Sequence, residues 1–272
     1  MDALATDPGL AAQHGVAPAR PARIGAGSHT GLRDDELGAL QAGRWFSQLS
    51  EGLREAIVAR ARVHRVVGGT RIAQRGDAGG QWVGVARGAL RLGTALPDGR
   101  VFTLDFVGPG QWFGDIALVD SGVEDLDMIA HVPSTLVVVS KADMQDLMGI
   151  SAEFREALLQ LNCQRLRRMV KRCEERHALS LPQRLARQVL RLARRFGRAT
   201  GNGLRIDLAV SQGDLASMVG GSRQRVNRAL RQMQQLGIMQ LGPQRLLVLD
   251  LEGLDDVAGG RTVLPGAATQ AD

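Results

Sequence analysis

The sequence contains only two cysteines, Cys163 and Cys173, and no run of about 18 consecutive apolar residues. Two thiols are too few for a disulfide scaffold or a four-cysteine metal site. The lack of a long apolar run excludes a membrane-spanning helix, and residues 1–30 lack the basic start and apolar segment of a signal peptide. We therefore expect a cytoplasmic protein with reduced thiols and no membrane partner.

Side chains suited to catalysis are also scarce. Between residues 63 and 139 the chain has only two histidines, His64 and His131, whereas metal-dependent barrels need clustered histidine and carboxylate ligands. No phosphate-binding loop and no pair of nucleophile and general base is evident. The sequence thus predicts no enzyme, no metal site and no cofactor, while an effector stays unassigned.

The sequence is rich in arginine, which supplies almost all of the basic residues behind a net charge of +6. This richness can reflect codon usage alone, so the positions of the arginines carry more information than their number. The length of 272 residues suggests one large domain or two ordinary ones, with tails.

The pattern of apolar residues divides the chain into segments. Residues 1–35 are rich in Ala, Gly and Pro without a sustained period, which predicts a disordered tail. Residues 36–62 have a helical period. From Val63 to Val139, short β-prone runs alternate with glycine or proline turns, including a hairpin at Leu96–Arg100, and predict a barrel or jelly-roll-like sandwich. The runs are 63–67, 81–86, 89–95, 101–107, 126–131 and 135–139.

A charged helical segment extends from Ala152 to about His177. Steps of three and four along it form a seam that is typical of a two-stranded coiled coil. The seam residues are Leu159, Asn162, Leu166, Met169 and Cys173. The pattern predicts a homodimer whose register Asn162 helps to fix. The alternative is one amphipathic helix packed on its own domain, and Cys173 suits a buried small side chain, an interchain disulfide or a redox switch.

The next segment has the caps of a helix-turn-helix unit. Ser180 and Gln183 form a capping box for a new helix, so we place a hinge between two domains at Ser180. Ser211 and Asp214 cap a further short helix, Gly220-Gly221 permits a tight turn, and Ser222 caps the helix after it. Residues 238–241 and 246–249 flank a turn at 242–245 and predict a β-hairpin wing.

The helix after Ser222 has two contrasting sides. Its apolar side consists of Val226, Ala229, Leu230 and Met233, and its polar side of Arg223, Gln224, Asn227, Arg228 and Arg231. Arginine can bind guanine through two hydrogen bonds, and glutamine or asparagine can bind adenine in the same way. The polar side therefore suits the major groove of double-stranded DNA.

With these motifs the chain resembles the Crp/Fnr family of bacterial transcription regulators over roughly residues 45–250. The resemblance rests on residues 69–76, 83–88 and 108–118 and, more specifically, on Ser211–Leu230 with Ser222–Arg228 at its centre. It implies an α+β chain with a jelly-roll-like β-roll sensor, similar to cyclic-nucleotide-binding domains, a long dimerisation helix and a C-terminal winged helix-turn-helix. The segments would be a tail at 1–35, the sensor at 36–150, the dimerisation helix at 151–179, the DNA-binding domain at 180–252 and a C-terminal tail at 253–272.

The resemblance also implies roles for individual residues. The dimer would bind an inverted-repeat operator, and an activator would also contact RNA polymerase. The base-reading group is Arg223, Gln224, Asn227 and Arg228, and the phosphate group is Ser211, Ser222, Arg225 and Arg231. Gln224 stands where the family often has glutamate, so the half-site is expected to differ from the family's commonest one.

The expected effector pocket departs from that of cyclic-nucleotide-binding members, which use a glutamate for the ribose and an arginine for the phosphate. Gly114-Asp115-Ile116 keeps a shortened carboxylate, and the arginine position falls on Glu124 or Asp125, whose charge repels a phosphate. Met169 and Val170, at the positions that meet the base, lack hydroxyls. A sensor unresponsive to cyclic AMP is expected, and a nucleotide-regulated module whose winged helix binds protein is the alternative to a DNA-binding regulator.

Overall fold

The computed structural model describes residues 31–97, 101–243 and 245–264. Most of the predicted N-terminal tail lies outside the described residues. So do the tip of the predicted Leu96–Arg100 hairpin and one residue, Gln244, of the predicted wing turn.

The first half of the chain folds into two four-stranded antiparallel sheets, which confirms the predicted β-rich domain. One sheet has the order β1-β8-β3-β6 and the other β2-β7-β4-β5. The strands are β1 (Arg62–Val66), β2 (Arg71–Ala73), β3 (Gln81–Arg87), β4 (Leu90–Ala95), β5 (Val101–Val107), β6 (Trp112–Phe113), β7 (Asp127–Ala130) and β8 (Ser134–Ser140). The short strands β2 and β6 were not among the predicted runs.

The two middle strands of the first sheet, β3 and β8, are buried on both faces, and this explains the uninterrupted apolar run in β8. Val83 and Val138 pack with Leu90 and Met128 of the second sheet. The alternate side chains, among them Trp82, belong to a second core under helices. Those helices are α1 (Asp34–Gln41), a 3-10 turn (Phe46–Gln48), α2 (Glu51–Arg60), α4 (Lys141–Ile150) and the start of α5 (Ala152–Ala178), while α3 (Asp115–Val119) follows β6.

The second half begins at the predicted hinge. Helix α6 (Leu181–Phe196) follows Ser180, and the backbone N–H of Ser180 donates to Gln183 Oε1 at 2.9 Å, as the capping box requires. The remaining elements are β9 (Gly197–Thr200), β10 (Gly203–Ile206), α7 (Gln212–Val219), α8 (Arg223–Gln235), β11 (Met239–Gly242), β12 (Arg245–Val248) and α9 (Leu251–Gly259). Strands β11 and β12 pair as the predicted wing, and they extend a sheet with the unpredicted hairpin β9–β10.

The prediction of a C-terminal tail over residues 253–272 is wrong for its described part. Residues 251–259 form α9, which packs on α6 and buries Leu254, Val257 and Ala258. Asp250 caps this helix by accepting a hydrogen bond from the backbone N–H of Gly253 at 2.9 Å. A short amphipathic helix is stable here because its apolar side completes the core of the C-terminal domain.

Candidate functional site

The helix-turn-helix unit is held by its end caps. Ser211 Oγ accepts a hydrogen bond from the backbone N–H of Asp214 at 3.0 Å, and the Asp214 carboxylate accepts from the backbone N–H of Ser211 at 3.1 Å. Helix α7 ends at Gly220 with φ +66°, and a Cβ there would lie 2.3 Å from the guanidinium of Arg176. Ser222 Oγ then accepts from the backbone N–H of Arg225 at 3.3 Å and starts α8. The caps thus fix where α8 leaves the turn.

Helix α8 buries one side and exposes the other, as predicted. Its apolar side chains lie in the core of the C-terminal domain against α6, α7 and β11. The exposed polar side chains are Arg223, Gln224, Arg225, Arg228 and Arg231, and no carboxylate of the described residues forms an ion pair with them. This face therefore carries uncompensated positive charge and free hydrogen-bond donors.

Two of the predicted DNA contacts are engaged within the protein. Asn227 is half-buried, and its Nδ2 donates to Gln212 Oε1 at 2.9 Å, which ties α8 to α7. The Ser211 hydroxyl donates to Asp214 Oδ2 at 2.5 Å and is committed to the cap of α7. Both side chains lie beside the α8 face, but each would have to exchange a hydrogen bond to contact DNA.

The predicted effector residues meet at a cleft between the two sheets, α5 and α6. Gly114, Asp115, Ile116, Glu124, Asp125 and Met169 all line it. Val170 does not line the cleft and is 60% exposed on the other side of α5. Sequence reasoning thus placed six of these seven residues together, although sequence alone could not show what else reaches them.

Asp115, the carboxylate at the expected ribose position, already forms an ion pair within the protein. Asp115 is fully buried, and Arg165 Nη1 of α5 lies 2.6 Å from its Oδ1 and 2.8 Å from its Oδ2. The same guanidinium donates to the backbone carbonyl of Trp112 and lies over the Phe113 ring at 5.2 Å. Asn162 Nδ2 donates to Asp115 Oδ2 at 2.9 Å. An internal ion pair therefore engages the carboxylate that was predicted to bind a ribose.

The expected phosphate position is acidic. Glu124 is buried, and its burial raises its pKa from 4.5 to about 7, with further contributions from the negative charges of Asp125, Asp115 and Asp77. Part of the Glu124 population is thus protonated near neutral pH, and no cation of the described residues forms an ion pair with Glu124 or Asp125. A phosphate here would meet carboxylates where the family pattern supplies an arginine.

The comparisons with known proteins identify the two halves of the chain. Residues 63–151 match the model described as a cyclic nucleotide-binding domain, and residues 183–257 match the Crp-like helix-turn-helix domain. The chain is 30% identical over 179 residues to the CRP-like cAMP-activated global transcriptional regulator of Mycobacterium tuberculosis, covering 66% of this chain and 80% of that one. The chain belongs to the Crp/Fnr family of DNA-binding transcription regulators.

Two further similarities extend over most of the chain. The cyclic AMP receptor protein of Thermus thermophilus is 28% identical over 192 residues, which cover 71% of this chain and 86% of that one. The structure of FixK2 from Bradyrhizobium japonicum has a TM-score of 0.64 at 22% identity, covers 72% of this chain and 96% of that one, and supports the fold alone. This family consists of transcription regulators and not of enzymes. In the described ranges no helix is long and apolar enough to cross a bilayer.

In this Crp/Fnr chain the predicted dimer seam needs a correction at Asn162. Leu159, Leu166 and Met169 are 66%, 65% and 41% exposed, and Cys173 is also exposed. Asn162 instead turns towards the sensor, because the buried Asp115 needs a second donor. The 3.6-residue helical period brings Val170 to this side of α5 in place of Met169, which lines the cleft. We define the exposed stripe as Leu159, Cys163, Leu166, Val170 and Cys173, of which Cys163 alone is half-buried.

The two halves of this regulator are joined by ion pairs. Asp105 of β5 lies 2.6 Å from Arg172 Nη2 of α5 and 3.0 Å from Arg195 Nη1 of α6. Burial alone would raise the pKa of Asp105, but the positive charges of Arg195 and Arg172 outweigh it and hold the pKa below its ordinary value. Thr103 Oγ1 of β5 also donates to Asp214 Oδ1 of α7 at 2.8 Å. Strand β5 therefore contacts the long helix and the DNA-binding domain together.

Proposed function

We propose that this regulator binds an inverted-repeat operator as a homodimer, with α8 of each subunit in the major groove. The observation that carries the proposal is the free, positively charged face of α8 opposite a fully buried one. Pairing through α5 would place the two α8 helices about one turn of DNA apart, roughly 34 Å. If the protein activates transcription, RNA polymerase is a further partner.

Within this face we assign two roles. Arg223, Gln224 and Arg228 read base edges because they are exposed and no described residue pairs with their side chains. Asn227 joins them only after releasing Gln212. Arg225 and Arg231, together with the caps at Ser211 and Ser222, lie near phosphates.

The dimer forms through the exposed stripe of α5. A line of apolar and thiol side chains on one side of a 27-residue helix is costly to leave in water, and a second copy of the same helix covers it symmetrically. The register then follows from Leu159, Leu166 and Val170 rather than from Asn162.

The sensor does not respond to cyclic AMP, although the Mycobacterium tuberculosis relative is named as cAMP-activated. The support for this proposal is the Asp115–Arg165 pair at the ribose position and the buried Glu124 at the phosphate position. A cyclic AMP molecule would have to displace an ion pair and approach a carboxylate with its phosphate.

The DNA-binding proposal is tested with genomic fragments selected on the purified protein. Arg223→Ala and Arg228→Ala should each lose about 1–3 kcal/mol of operator binding per half-site contact and relax sequence preference, measured by fluorescence anisotropy. Arg231→Ala is the matched control, because loss of a phosphate contact should weaken all sequences alike and reduce the salt dependence by about one unit. Unchanged operator binding by both Arg223→Ala and Arg228→Ala would refute the assignment of α8.

The dimer proposal is tested by light scattering on Leu166→Glu. A charge at this exposed position should yield a folded monomer, because it disrupts only the proposed seam. Val67→Glu is the control, since Val67 is 72% exposed on the sensor and lies outside the stripe. A Leu166→Glu variant with the mass of the wild type would exclude this interface.

A further inference from the structure

The cleft between the sensor and α5–α6 is large. Its volume is about 1220 Å³, and its walls come from β5, β6, α3, α5, α6 and α9. Ligand pockets commonly measure about 300–1,000 Å³, so the space exceeds what one small nucleotide requires. It extends from the ion-paired Asp115 to residues of α6 and α9 in the C-terminal domain.

The cleft carries a surplus of positive charge. Ten basic and six acidic side chains line it. Asp105, Asp115 and Glu175 already form ion pairs with arginines of α5 or α6. Five lining cations form no ion pair with any described carboxylate, namely Arg44, Arg167, Arg168, Lys171 and Arg194.

The charge is also polarised along the cleft. Glu124 and Asp125 lie at the sensor end, whereas the unpaired cations lie mainly on α5 and α6. Arg168 is exposed at the cleft wall, and partial desolvation together with the neighbouring charges of Arg165, Arg195 and Arg172 lowers its pKa despite Asp105. This crowding of like charges is costly unless an anion balances it.

The chemistry of the walls indicates the kind of anion. Guanidinium groups bind phosphate oxygens through two parallel hydrogen bonds, so arginines on several elements suit more than one phosphate. Leu104, Leu126 and Leu190 supply apolar surface in the same cleft, against which a base can pack. We propose that this cleft binds a nucleotide with two or more phosphate groups, held by Arg168 and Lys171 of α5 and Arg194 of α6.

Such a ligand would connect α5 to α6 across the hinge at Ser180 and so fix the orientation of the DNA-binding domain. This regulatory consequence rests on the proposed function, whereas the binding itself does not. The ligand site lies in the same cleft as Asp115 but uses cations of α5 and α6 that take no part in the Asp115–Arg165 pair.

The test is calorimetry on the full-length protein at low salt with cyclic AMP, ATP in EDTA and cyclic di-GMP as probes. We expect at least one of the two multiply charged nucleotides to bind at least about tenfold more tightly than cyclic AMP. Tryptophan emission gives a second readout, because all three tryptophans of the chain lie in one aromatic cluster and Trp45 and Trp112 line the cleft.

Two variants and one control localise the site. Arg168→Ala with Lys171→Ala, and separately Arg194→Ala, should each weaken the binding by about tenfold or more, since each removes charge-assisted contacts to phosphate. Arg62→Ala removes the same charge from exposed β1, outside the cleft lining, and should leave the binding within about twofold.

Two results would overturn the proposal. The first is the absence of saturable binding of ATP and of cyclic di-GMP up to about 1 mM. The second is binding that the α5 and α6 variants leave unchanged. Arg228→Ala separates this proposal from the DNA-binding one, because that variant should lose operator binding and keep the nucleotide.

Discussion

Replacing Arg165 by leucine tests whether the sensor pocket is closed from inside. The substitution leaves the Asp115 carboxylate fully buried with Asn162 as its remaining side-chain donor. Removing one partner of a buried ion pair costs about 3–5 kcal/mol. Because the Arg165 side chain is 18% exposed and part of its desolvation is avoided, we expect about 3 kcal/mol. That loss lowers the ratio of folded to unfolded sensor by about 100-fold.

A second substitution, Asp115→Asn, should change stability in opposite directions in the wild type and in the Arg165→Leu background. In the wild type, Asp115→Asn removes charge-assisted hydrogen bonds and should destabilise the sensor by about 1.5–3 kcal/mol. In the Arg165→Leu background the same change removes an unpaired buried charge and should stabilise the sensor. The effect of Asp115→Asn on stability thus reverses between the two backgrounds, as expected for two side chains whose contributions to stability are coupled.

The assay is urea unfolding followed by tryptophan fluorescence. Trp45, Trp82 and Trp112 are the only tryptophans of the chain and lie in the sensor core, so the signal reports this domain and not the DNA-binding one. Arg167→Leu is the control, because Arg167 is exposed on the same helix and should change stability by less than about 0.5 kcal/mol. The Asp115–Arg165 pair does not behave as a buried one if Arg165→Leu costs less than about 1 kcal/mol, as an exposed pair would, or if Asp115→Asn destabilises both backgrounds equally.

The other predictions concern two carboxylates and one glycine. The pKa of Glu124 is raised from 4.5 to about 7, so its contribution to the stability of the sensor is complete below pH 4.5 and is lost as the pH rises through 7. Glu124→Gln should therefore stabilise the sensor near pH 8, by roughly 3 kcal/mol at most, and should have no such effect near pH 4.5. Thermal melts at the two pH values measure this difference. Glu36 gives the opposite pH dependence, because the hydrogen bond from Arg65 lowers its pKa to about 2 and stability is lost as the pH falls from 4.5 through 2. Glu36→Gln should remove this loss of stability in acid and should cost about 1.5–3 kcal/mol at neutral pH. Gly220→Ala, at φ +66°, should lower the free energy of unfolding by about 1–2 kcal/mol, measured by circular dichroism. Gly213→Ala is the control, because Gly213 is exposed within α7 and an added Cβ would lie 3.5 Å from Ser211 Oγ; it should be neutral or stabilising by about 0.5 kcal/mol. Equal effects of the two substitutions would contradict the strain at the turn.

Most of the fold could be predicted from local patterns in the sequence. The capping boxes that begin at Ser180 and Ser211 depend on residues three positions apart, so their hydrogen bonds follow from the sequence alone. The six β-prone runs were found because alternation and glycine turns are also local signals. Helix α9 has such local signals in Asp250 and Gly260, its N-cap and C-cap residues. Its apolar side, however, is buried only by packing against α6, which no local pattern indicates.

The sensor pocket could not be predicted in the same way. Asp115 was singled out, but its partner Arg165 is 50 residues further along the chain, and no periodicity links the two. Asn162 fitted a seam by its spacing, and the position of a buried carboxylate on another element decided its orientation. Pairings over long sequence separations depend on the packing of whole elements, which a single sequence does not encode in any short window.

Strand β5 is the last strand of its sheet, and its outer side is covered by side chains from elsewhere in the chain. Arg172 donates to the carbonyl oxygen of Leu104 at 3.5 Å, and Arg195 donates to that of Phe106. Unprotected outer strands invite pairing with another molecule. A shortened protein that ended near residue 179 would lack Arg195 and α7, and it would self-associate through β5 at concentrations at which the whole chain stays dispersed.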